Sequence, residues 1–222
     1  MKKFIVAAVL SVLSFAAFAQ IAVSTGAGGY FAPYWFAGRT ETPTAWTQNQ
    51  AFYGFYGAKA FCDFTFISAD VGILLNTGEE TVTTSSSLGG SATSTVQLNQ
   101  GVWLSIGAIG KYPFRSGSVK VYPLLGFEYD ILLSMVDASG QDVKASMSAS
   151  TLASLNRLWV KAGIGADIDV GGNFFFRPEA DLCYKLPSSF DSEQIDIAKA
   201  AGNSATRTSI KVDIGFSIGY RY

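Results

Sequence analysis

The sequence predicts an all-β chain of eight antiparallel strands, and three observations support this fold class. Long segments alternate strictly between apolar and polar residues. The clearest is 210–222, with seven apolar or aromatic positions and six small or charged ones. The connections between these segments alternate between long and short. Beyond the amino terminus, glycine or charge interrupts every apolar run, which argues against a helical membrane span. Because successive strand side chains point to opposite faces, each segment has one apolar and one polar face.

Residues 1–19 have the pattern of a secretory signal. Lys2 and Lys3 give a positive start, the run up to residue 18 is nearly all apolar, and Ala17-Phe18-Ala19 is a small-x-small cleavage site. A membrane anchor would need about twenty apolar residues, and this run is shorter. We therefore expect a cleaved signal peptide at 1–19 and a single β-barrel domain over 20–222.

Charge and cysteine content limit the partners and the redox chemistry. The chain has 16 Lys and Arg against 17 Asp and Glu, and without Lys2 and Lys3 the net charge is 14 − 17, or −3. Nucleic acid would demand a basic patch, so we expect no nucleic-acid partner. Cys62 and Cys183 are predicted on non-neighbouring strands and on opposite faces. Since a disulfide needs Cα atoms within about 7 Å, we expect two free thiols.

The alternating segments define the order of the chain. Strands are predicted over residues 20–31, 50–61, 64–76, 96–112, 119–133, 157–170, 174–186 and 210–222. The connections after odd strands are long, at 32–49, 77–95, 134–156 and 187–206. Those after even strands are short, at 62–63, 113–118 and 171–173.

Local signals predict further structure. Gly89-Gly90 lies at the centre of a Thr/Ser-rich stretch, and two glycines between strand-favouring residues predict a hairpin ribbon. Asp191, with Gln194 three residues later, resembles a capping box and predicts a short helix near 192–201. Pro123 removes one ladder donor from the fifth strand, so a local irregularity or bulge is expected there.

Strands that cross lipid must close into a barrel, because every unpaired backbone amide is costly there. The alternation of connection lengths places the short turns on one side and the long loops on the other. The sequence therefore predicts an eight-stranded antiparallel up-and-down transmembrane β-barrel with short periplasmic turns and four long extracellular loops. Two aromatic girdles are expected: Phe64, Tyr112, Phe114, Phe174, Tyr220 and Tyr222 near the turns, and Phe31, Tyr34, Trp35, Phe52 and Tyr184 near the loops.

The interior of an eight-stranded barrel is only wide enough for its own side chains. Alternation predicts a nearly balanced set of interior charges that pair with one another, because an unpaired buried charge is costly. An ion-selective pore would instead show a surplus of one sign. The predicted interior charges are Lys59, Asp63, Asp70, Lys111, Lys120, Glu128, Asp130, Lys161, Asp167, Asp169, Arg177, Glu179, Asp181, Lys185, Lys211, Asp213 and Arg221.

With its signal peptide, eight alternating strands, alternating connection lengths and a last strand ending Ile218-Gly219-Tyr220-Arg221-Tyr222, the chain resembles the small outer-membrane barrels of the OmpA, OmpX and OmpW type. The resemblance implies a location in outer-membrane lipid and insertion by the barrel-assembly machinery, with Tyr220 and Tyr222 as the assembly signal. Such proteins commonly end in Phe, and this sequence ends in Tyr. The resemblance does not select among the functions of the family.

Catalysis is poorly supported by the sequence. The chain contains no histidine, which removes Ser-His and Asp-His arrangements, and it has neither a Cys/His metal cluster nor a phosphate-loop glycine pattern. We expect no enzyme activity, no metal and no cofactor.

Three functions are compatible with these observations. The leading hypothesis is a non-enzymatic outer-membrane barrel whose loops at 32–49, 77–95, 134–156 and 187–206 contact an extracellular or host ligand or support envelope integrity. An OmpW-like conduit for small hydrophobic molecules is the alternative, with an apolar lining of Trp103, Trp159, Leu124 and Leu132. A secreted soluble lipocalin-like barrel would carry its apolar residues inside.

Overall fold

The computed structural model describes residues 23–137 and 139–222, so the predicted signal peptide at 1–19 and the predicted start of the first strand at residue 20 lie outside the described residues. The strands are β1 (Val23–Glu41), β2 (Trp46–Phe64), β3 (Ile67–Asn76), β4 (Glu79–Ser86), β5 (Ser91–Gln97), β6 (Gln100–Lys111), β7 (Phe114–Ser116), β8 (Val119–Val136), β9 (Arg157–Gly171), β10 (Phe174–Lys185) and β11 (Ser204–Arg221). The helices are a 3₁₀ turn (Lys144–Ser146), α1 (Ala149–Leu155) and α2 (Ser189–Ala200).

Eight of these strands form a closed ring. Antiparallel pairing runs in the order β1, β2, β3, β6, β8, β9, β10 and β11, and β11 returns to β1. The closing pair extends from Ser24 opposite Arg221 to Glu41 opposite Ser204. The predicted all-β antiparallel fold is confirmed. The remaining strands, β4, β5 and β7, lie outside the ring.

The Thr/Ser-rich segment forms the predicted ribbon. β4 and β5 pair through a turn in which Gly89 and Gly90 have φ of 115° and 87°, a region that favours glycine. β4 also pairs with the first part of β2, from Thr47 opposite Ser86 to Phe52 opposite Thr81. The sheet of the ring therefore continues beyond it at the end that carries the long connections.

The predicted long connection at 32–49 is wrong. β1 and β2 pair without a break from Val23 opposite Phe64 to Glu41 opposite Trp46, and only residues 42–45 join them. Pro33 does not end the strand. On the β11 side the register passes from Phe31 to Tyr34 across Pro33, which has no N–H to donate. The aromatic residues that follow favour strands.

Two other local predictions differ from the structure. The turn between β2 and β3 is 65–66 rather than 62–63, with Thr65 in the left-handed region at φ 47°. The expected irregularity at Pro123 is absent from the pairing of β8 with β9, which runs through Pro123 without a shift. The shift in β8 lies instead opposite Val102 and Trp103 of β6.

Both helices lie in the long connections. α2 begins three residues earlier than predicted: its cap is Ser188, whose side chain accepts from the Asp191 amide while Asp191 accepts from the Ser188 amide. It ends before Gly202, at φ 76°. α1, capped by Ser148, was not predicted from the sequence. No helix among the described residues is long and apolar enough to cross a membrane.

The ring has a charged interior and an apolar exterior. On β11 the side chain of Lys211 is fully buried, whereas Phe216, on the opposite face, is 55% exposed. The same alternation of buried and exposed positions runs along β3, β6, β8 and β10. The faces are thus the reverse of those of a water-soluble barrel, where apolar side chains fill the interior.

Candidate functional site

Three layers of side chains fill the ring, and β9 contributes to each. From the long connections toward the short turns, its inward residues are Arg157 and Trp159, then Lys161, then Asp167, all buried. The layers are thus an aromatic layer, a central charged layer and a lower charged layer.

The central layer contains a cluster of five buried charges, Glu128, Lys161, Asp181, Lys211 and Asp213, called the central cluster here. Lys161 Nζ lies 2.7 Å from Glu128 Oε2, 3.0 Å from Asp213 Oδ2 and 3.3 Å from Asp181 Oδ2. Lys211 pairs with Glu128 and lies 3.3 Å from Asp213 Oδ1. Asp181 and Asp213 are directly opposite on β10 and β11, and Lys161 pairs with both carboxylates, which would otherwise repel.

Two further carboxylates lie in the central layer. Lys59 Nζ donates to Glu179 Oε1 at 3.0 Å across the interior of the ring. Asp70 is buried, and its Oδ2 has no hydrogen-bond partner in the described part of the chain. Gly107 makes room for Asp70, because a Cβ at that position would overlap the carboxylate.

Arg177 organises the lower layer. Its guanidinium donates to Asp63 and, through Nε, to Asp167 Oδ1 at 2.7 Å. Lys111 Nζ lies 2.7 Å from Asp63 Oδ2, so one carboxylate is shared by two cations. The same guanidinium lies 4.1 Å from the ring centre of Phe61, a cation–π distance.

The remaining predicted interior charges lie near the two ends. Arg221 pairs with Asp169 and lies 3.6 Å from Asp167 at the short-turn end. Lys120 lies opposite Asp167 in the register of β8 with β9. Lys185 is at the other end, where its Nζ lies 2.8 Å from Asp191 Oδ2 of α2.

The pKa of Asp191, which is part of the N-terminal cap of α2, is shifted by its contacts there. Burial on its own would raise the pKa of Asp191, but hydrogen bonds from the Lys185 ammonium and from Ser188 outweigh burial. They hold the pKa below its ordinary value. The start of α2 is thereby fixed to the end of β10.

Aromatic side chains form the layer next to the long connections. Phe55 and Trp159 are fully buried, the Phe55 and Trp103 ring centres are 5.2 Å apart, and those of Tyr34 and Trp159 are 5.8 Å apart. The girdle position predicted for Tyr34 is wrong. Its side chain points inward and its hydroxyl donates to Ser209 Oγ at 3.0 Å, whereas Trp35 is exposed on the outer face. Neighbouring positions in a strand must face opposite ways.

The four residues predicted as an apolar lining do not form one surface. Trp103, Trp159 and Leu132 share the aromatic layer. Leu124 lies apart from them, packed with Ile109 and Tyr122 further toward the short turns. Trp159 has no exposed surface, and its indole N–H donates to Asp130 Oδ2 at 2.8 Å.

The sequence prediction left out Arg157, which is 5% exposed. Its guanidinium carbon lies 4.5 Å from the ring centre of Phe55 and 4.8 Å from that of Trp103. The signal was available, because Arg157 has the same strand parity as Trp159. Residue 157 is the first of its predicted strand and directly follows a long connection, where alternation is a weak guide.

A cavity of about 280 Å³ opens above the aromatic layer, among the long connections. Burial raises the pKa of Glu80, which is part of its wall. We call this space the mouth cavity; its wall consists of Tyr34, Tyr53, Asn76, Glu80, Leu98, Asn99, Trp103, Met135, Ser154, Leu155, Arg157 and Lys185.

Solved structures with a similar arrangement include Neisserial surface protein A, with 13% identity, a TM-score of 0.42, and coverage of 89% of this chain and 99% of that chain. A major outer membrane protein from Thermus thermophilus has 14% identity and a TM-score of 0.40, and the match covers 86% of this chain and 99% of that chain. The N-terminal β-barrel domain of Pseudomonas aeruginosa OprF has 11% identity and a TM-score of 0.39, and the match covers 86% of this chain and 97% of that chain.

The chain resembles outer-membrane β-barrel proteins. No protein-family model matches it, and no curated protein sequence matches it.

Tyr220 and Tyr222 lie at the short-turn end. The Tyr220 ring centre is 5.0 Å from that of Phe174 and 5.2 Å from that of Tyr222, and Asn173 Nδ2 donates to the Tyr220 hydroxyl at 3.2 Å. Both rings thus belong to an aromatic group at the end of β11.

The chemistry of the interior is that of a filled, ion-paired core. The sequence has no histidine to act as a general base near neutral pH. Within residues 23–137 and 139–222, no group of three or more Cys, Asp or Glu is arranged to hold a metal. Both cysteines are free; Cys183 is buried inside the ring and Cys62 is partly exposed.

Proposed function

We propose that this chain is a non-enzymatic integral outer-membrane protein, in which the eight-stranded ring spans the bilayer as an up-and-down barrel and anchors the long connections at the cell surface. One observation carries the proposal: the ring is closed, with paired charges inside and a continuous apolar surface outside. Closure satisfies the backbone of every ring strand, which lipid requires.

The height of the apolar exterior fits a bilayer. On β11, residues 210–220 place Val212, Ile214, Phe216 and Ile218 on the outer face, all exposed. Ten residue steps of about 3.3 Å span about 33 Å along the strand. At a tilt of about 40° this gives about 25 Å along the ring axis, the height of the apolar band of outer-membrane barrels.

The arrangement of faces argues against the soluble lipocalin-like alternative. Such a barrel would keep apolar residues inside, whereas the fully buried interior side chains here include Lys161, Lys211 and Asp130. Fractionation of expressing cells tests the proposal directly. We expect the folded protein in the membrane fraction, released only by detergent; recovery in the soluble fraction would overturn it.

We further propose that the short turns face the periplasm and the long connections face outward. Leu88, at the tip of the ribbon and 84% exposed, suits a labelling test. A membrane-impermeant maleimide applied to intact cells should label Leu88→Cys and leave Gly117→Cys, in a short turn, at the level of the unaltered protein. The reverse pattern would contradict this orientation.

The proposed surface role belongs to three connections: the ribbon, the segment with α1 and the segment with α2. The predicted long connection at 32–49 is instead a four-residue turn at 42–45. Removing residues 80–96 deletes most of β4, which pairs with β2 outside the ring, and most of β5, which pairs with β4, so the ring itself should still assemble. If deletion of all three connections left cell or matrix binding and envelope integrity unchanged, the anchoring role would be excluded.

Insertion by the barrel-assembly machinery, with Tyr220 and Tyr222 as its signal, is also a proposal. The doubly substituted Tyr220→Ala/Tyr222→Ala protein should accumulate less in the membrane than a Tyr112→Ala control, whose aromatic ring lies at the same end but not on β11. Equal accumulation would exclude the signal role.

The conduit alternative has one feature in its favour, the mouth cavity, and one against it. Fully buried Phe55 and Trp159 lie between that cavity and the central cluster. We therefore expect no conductance in planar bilayers. Regular current steps would favour the conduit over a closed anchor.

A further inference from the structure

We propose that the mouth cavity binds a small organic carboxylate with an apolar body, and that Arg157 holds the carboxylate. This site goes beyond the anchoring role, because it requires only the folded chain and not its placement in a membrane. Arg157 is a buried cation whose hydrogen-bonding capacity is largely unused.

Arg157 has five N–H donors, and few of them have partners. Nη1 donates to the Tyr53 hydroxyl at 3.5 Å, the limit of a hydrogen bond. Nε lies 3.8 Å from Asp130 Oδ2, an ion-pair contact too long for a hydrogen bond. Nη2 is buried without a hydrogen-bond partner. Unpartnered buried donors of this kind are costly in a finished structure, and they point to a ligand acceptor.

The neighbours of Arg157 favour a carboxylate over a point anion. The ring centres of Phe55 and Trp103 lie 4.5 and 4.8 Å from the guanidinium carbon, so the two rings restrict the position of the guanidinium. A fixed guanidinium plane presents pairs of parallel N–H groups, which match the two oxygens of a carboxylate. The rings that position Arg157 would therefore also set the orientation of the ligand.

The rest of the wall accounts for an apolar body. Tyr34, Tyr53, Trp103, Met135 and Leu155 give the cavity an aromatic and aliphatic surface. At about 280 Å³ the cavity is near the lower end of the usual volume of ligand pockets, which begins at about 300 Å³. A single-ring acid is of the right size, whereas a long lipid chain is too large.

Two other charged residues in the wall determine selectivity. The ammonium of Lys185 is already paired with Asp191, so Arg157 is the cation with free donors. Glu80 is acidic and would repel the ligand when ionised, although burial raises its pKa. Neutralising Glu80 should therefore strengthen binding, an effect that a purely apolar pocket would not show.

Isothermal titration of the full folded chain in detergent micelles tests the site with phenylacetate, against phenylacetamide, a neutral analogue of the same shape. We expect saturable binding of phenylacetate, and binding of phenylacetamide that is about tenfold to a hundredfold weaker, the factor associated with one charged hydrogen-bonding partner. Absence of phenylacetate binding, or equal binding of the two compounds, would overturn the proposal.

Matched variants identify the recognising residue. Arg157→Gln should weaken phenylacetate binding to the level of phenylacetamide, Glu80→Gln should tighten it, and Arg39→Gln, which changes an exposed arginine, should leave it unchanged. If Arg157→Gln lacks the circular dichroism of the native fold, Arg157→Lys replaces it. That variant keeps a cation beside Asp130 but loses the planar donor pair. Unaltered phenylacetate affinity in a folded Arg157 variant would overturn the assignment.

Discussion

Replacing Lys211 with methionine tests whether the central cluster stabilises the ring. Lys211 is fully buried and pairs with Glu128 and Asp213, and its Nζ lies 4.0 Å from Asp130 Oδ2. Methionine has a similar length and no charge, so Lys211→Met removes the ammonium with little loss of packing. The central cluster would then contain three carboxylates and only one ammonium, that of Lys161.

The expected loss follows from that change in charge balance. Breaking a buried ion pair by removing one partner typically costs about 3–5 kcal/mol, because the remaining charge is buried and unpaired. The native cluster has two cations and three anions, a difference of one. Lys211→Met leaves one cation and three anions, a difference of two. The double change Lys211→Met/Glu128→Gln restores the native difference of one, so it should recover more than half of the lost free energy of unfolding.

Urea unfolding of vesicle-inserted protein, followed by tryptophan fluorescence, measures these differences. Lys199→Met is the matched control, because Lys199 lies on α2 with its side chain 67% exposed and pairs only with Asp196 at 3.7 Å. Exposed pairs of this kind contribute about 0–1 kcal/mol. If Lys211→Met destabilised the protein no more than Lys199→Met, or if Glu128→Gln deepened the loss, the ion pairs of the central cluster would not be what stabilises the interior.

Three other perturbations test the exterior, the interior packing and the helix cap. Ile214→Arg on the outer face should lower the free energy of unfolding in vesicles by about 2–4 kcal/mol, and no loss would argue against lipid at that face. Gly165→Ala should cost about 1–3 kcal/mol, because its Cβ would overlap the Tyr122 ring; a double-mutant cycle with Tyr122→Ala should show coupling, and strict additivity would exclude the clash. Because the folded pKa of Asp191 is lowered, the contribution of this carboxylate to stability is fully present above its unfolded pKa, about 3.9. The contribution is lost as the pH falls through the folded pKa. The protection of α2 amides against exchange, relative to the intrinsic exchange rate at each pH, should therefore fall below about pH 4 in the native protein but not in Asp191→Asn, and an identical response in both would contradict the assigned role of the Lys185 contact.

Strand alternation predicted how the residues of each ring strand divide between its two faces. In 210–222 every second residue is apolar, and the structure places Val212 and Ile214 outside and Lys211 and Asp213 inside. This succeeds because parity is a local property of a strand. The aromatic residues of β1 show its limit: Tyr34 and Trp35 are both aromatic, so the sequence does not show which of them faces inward.

Pairing partners across the interior were beyond sequence reasoning. Lys59 meets Glu179, 120 residues away, because the stagger of the strands places them at one level. The sequence shows which residues are charged, but not at which level along the ring axis each charge lies. Of the four residues predicted as an apolar lining, Trp103 alone is in the described wall of the mouth cavity, since that wall combines β1, the ribbon, α1 and β9. The predicted first connection is wrong because Pro33, which has no N–H to donate, is accommodated within β1.

The pairing of β1 with β11 has a consequence for the time at which this protein can fold. Its two strands come from opposite ends of the described chain, with Ser24 opposite Arg221. Contacts of such large sequence separation form late, after the entropy of closing the whole chain has been lost. Until β11 is in place, the nascent sheet has two open edges with rows of unpaired amides, the usual starting point of aggregation. An incomplete chain therefore exposes those edges until β11 has been made and paired.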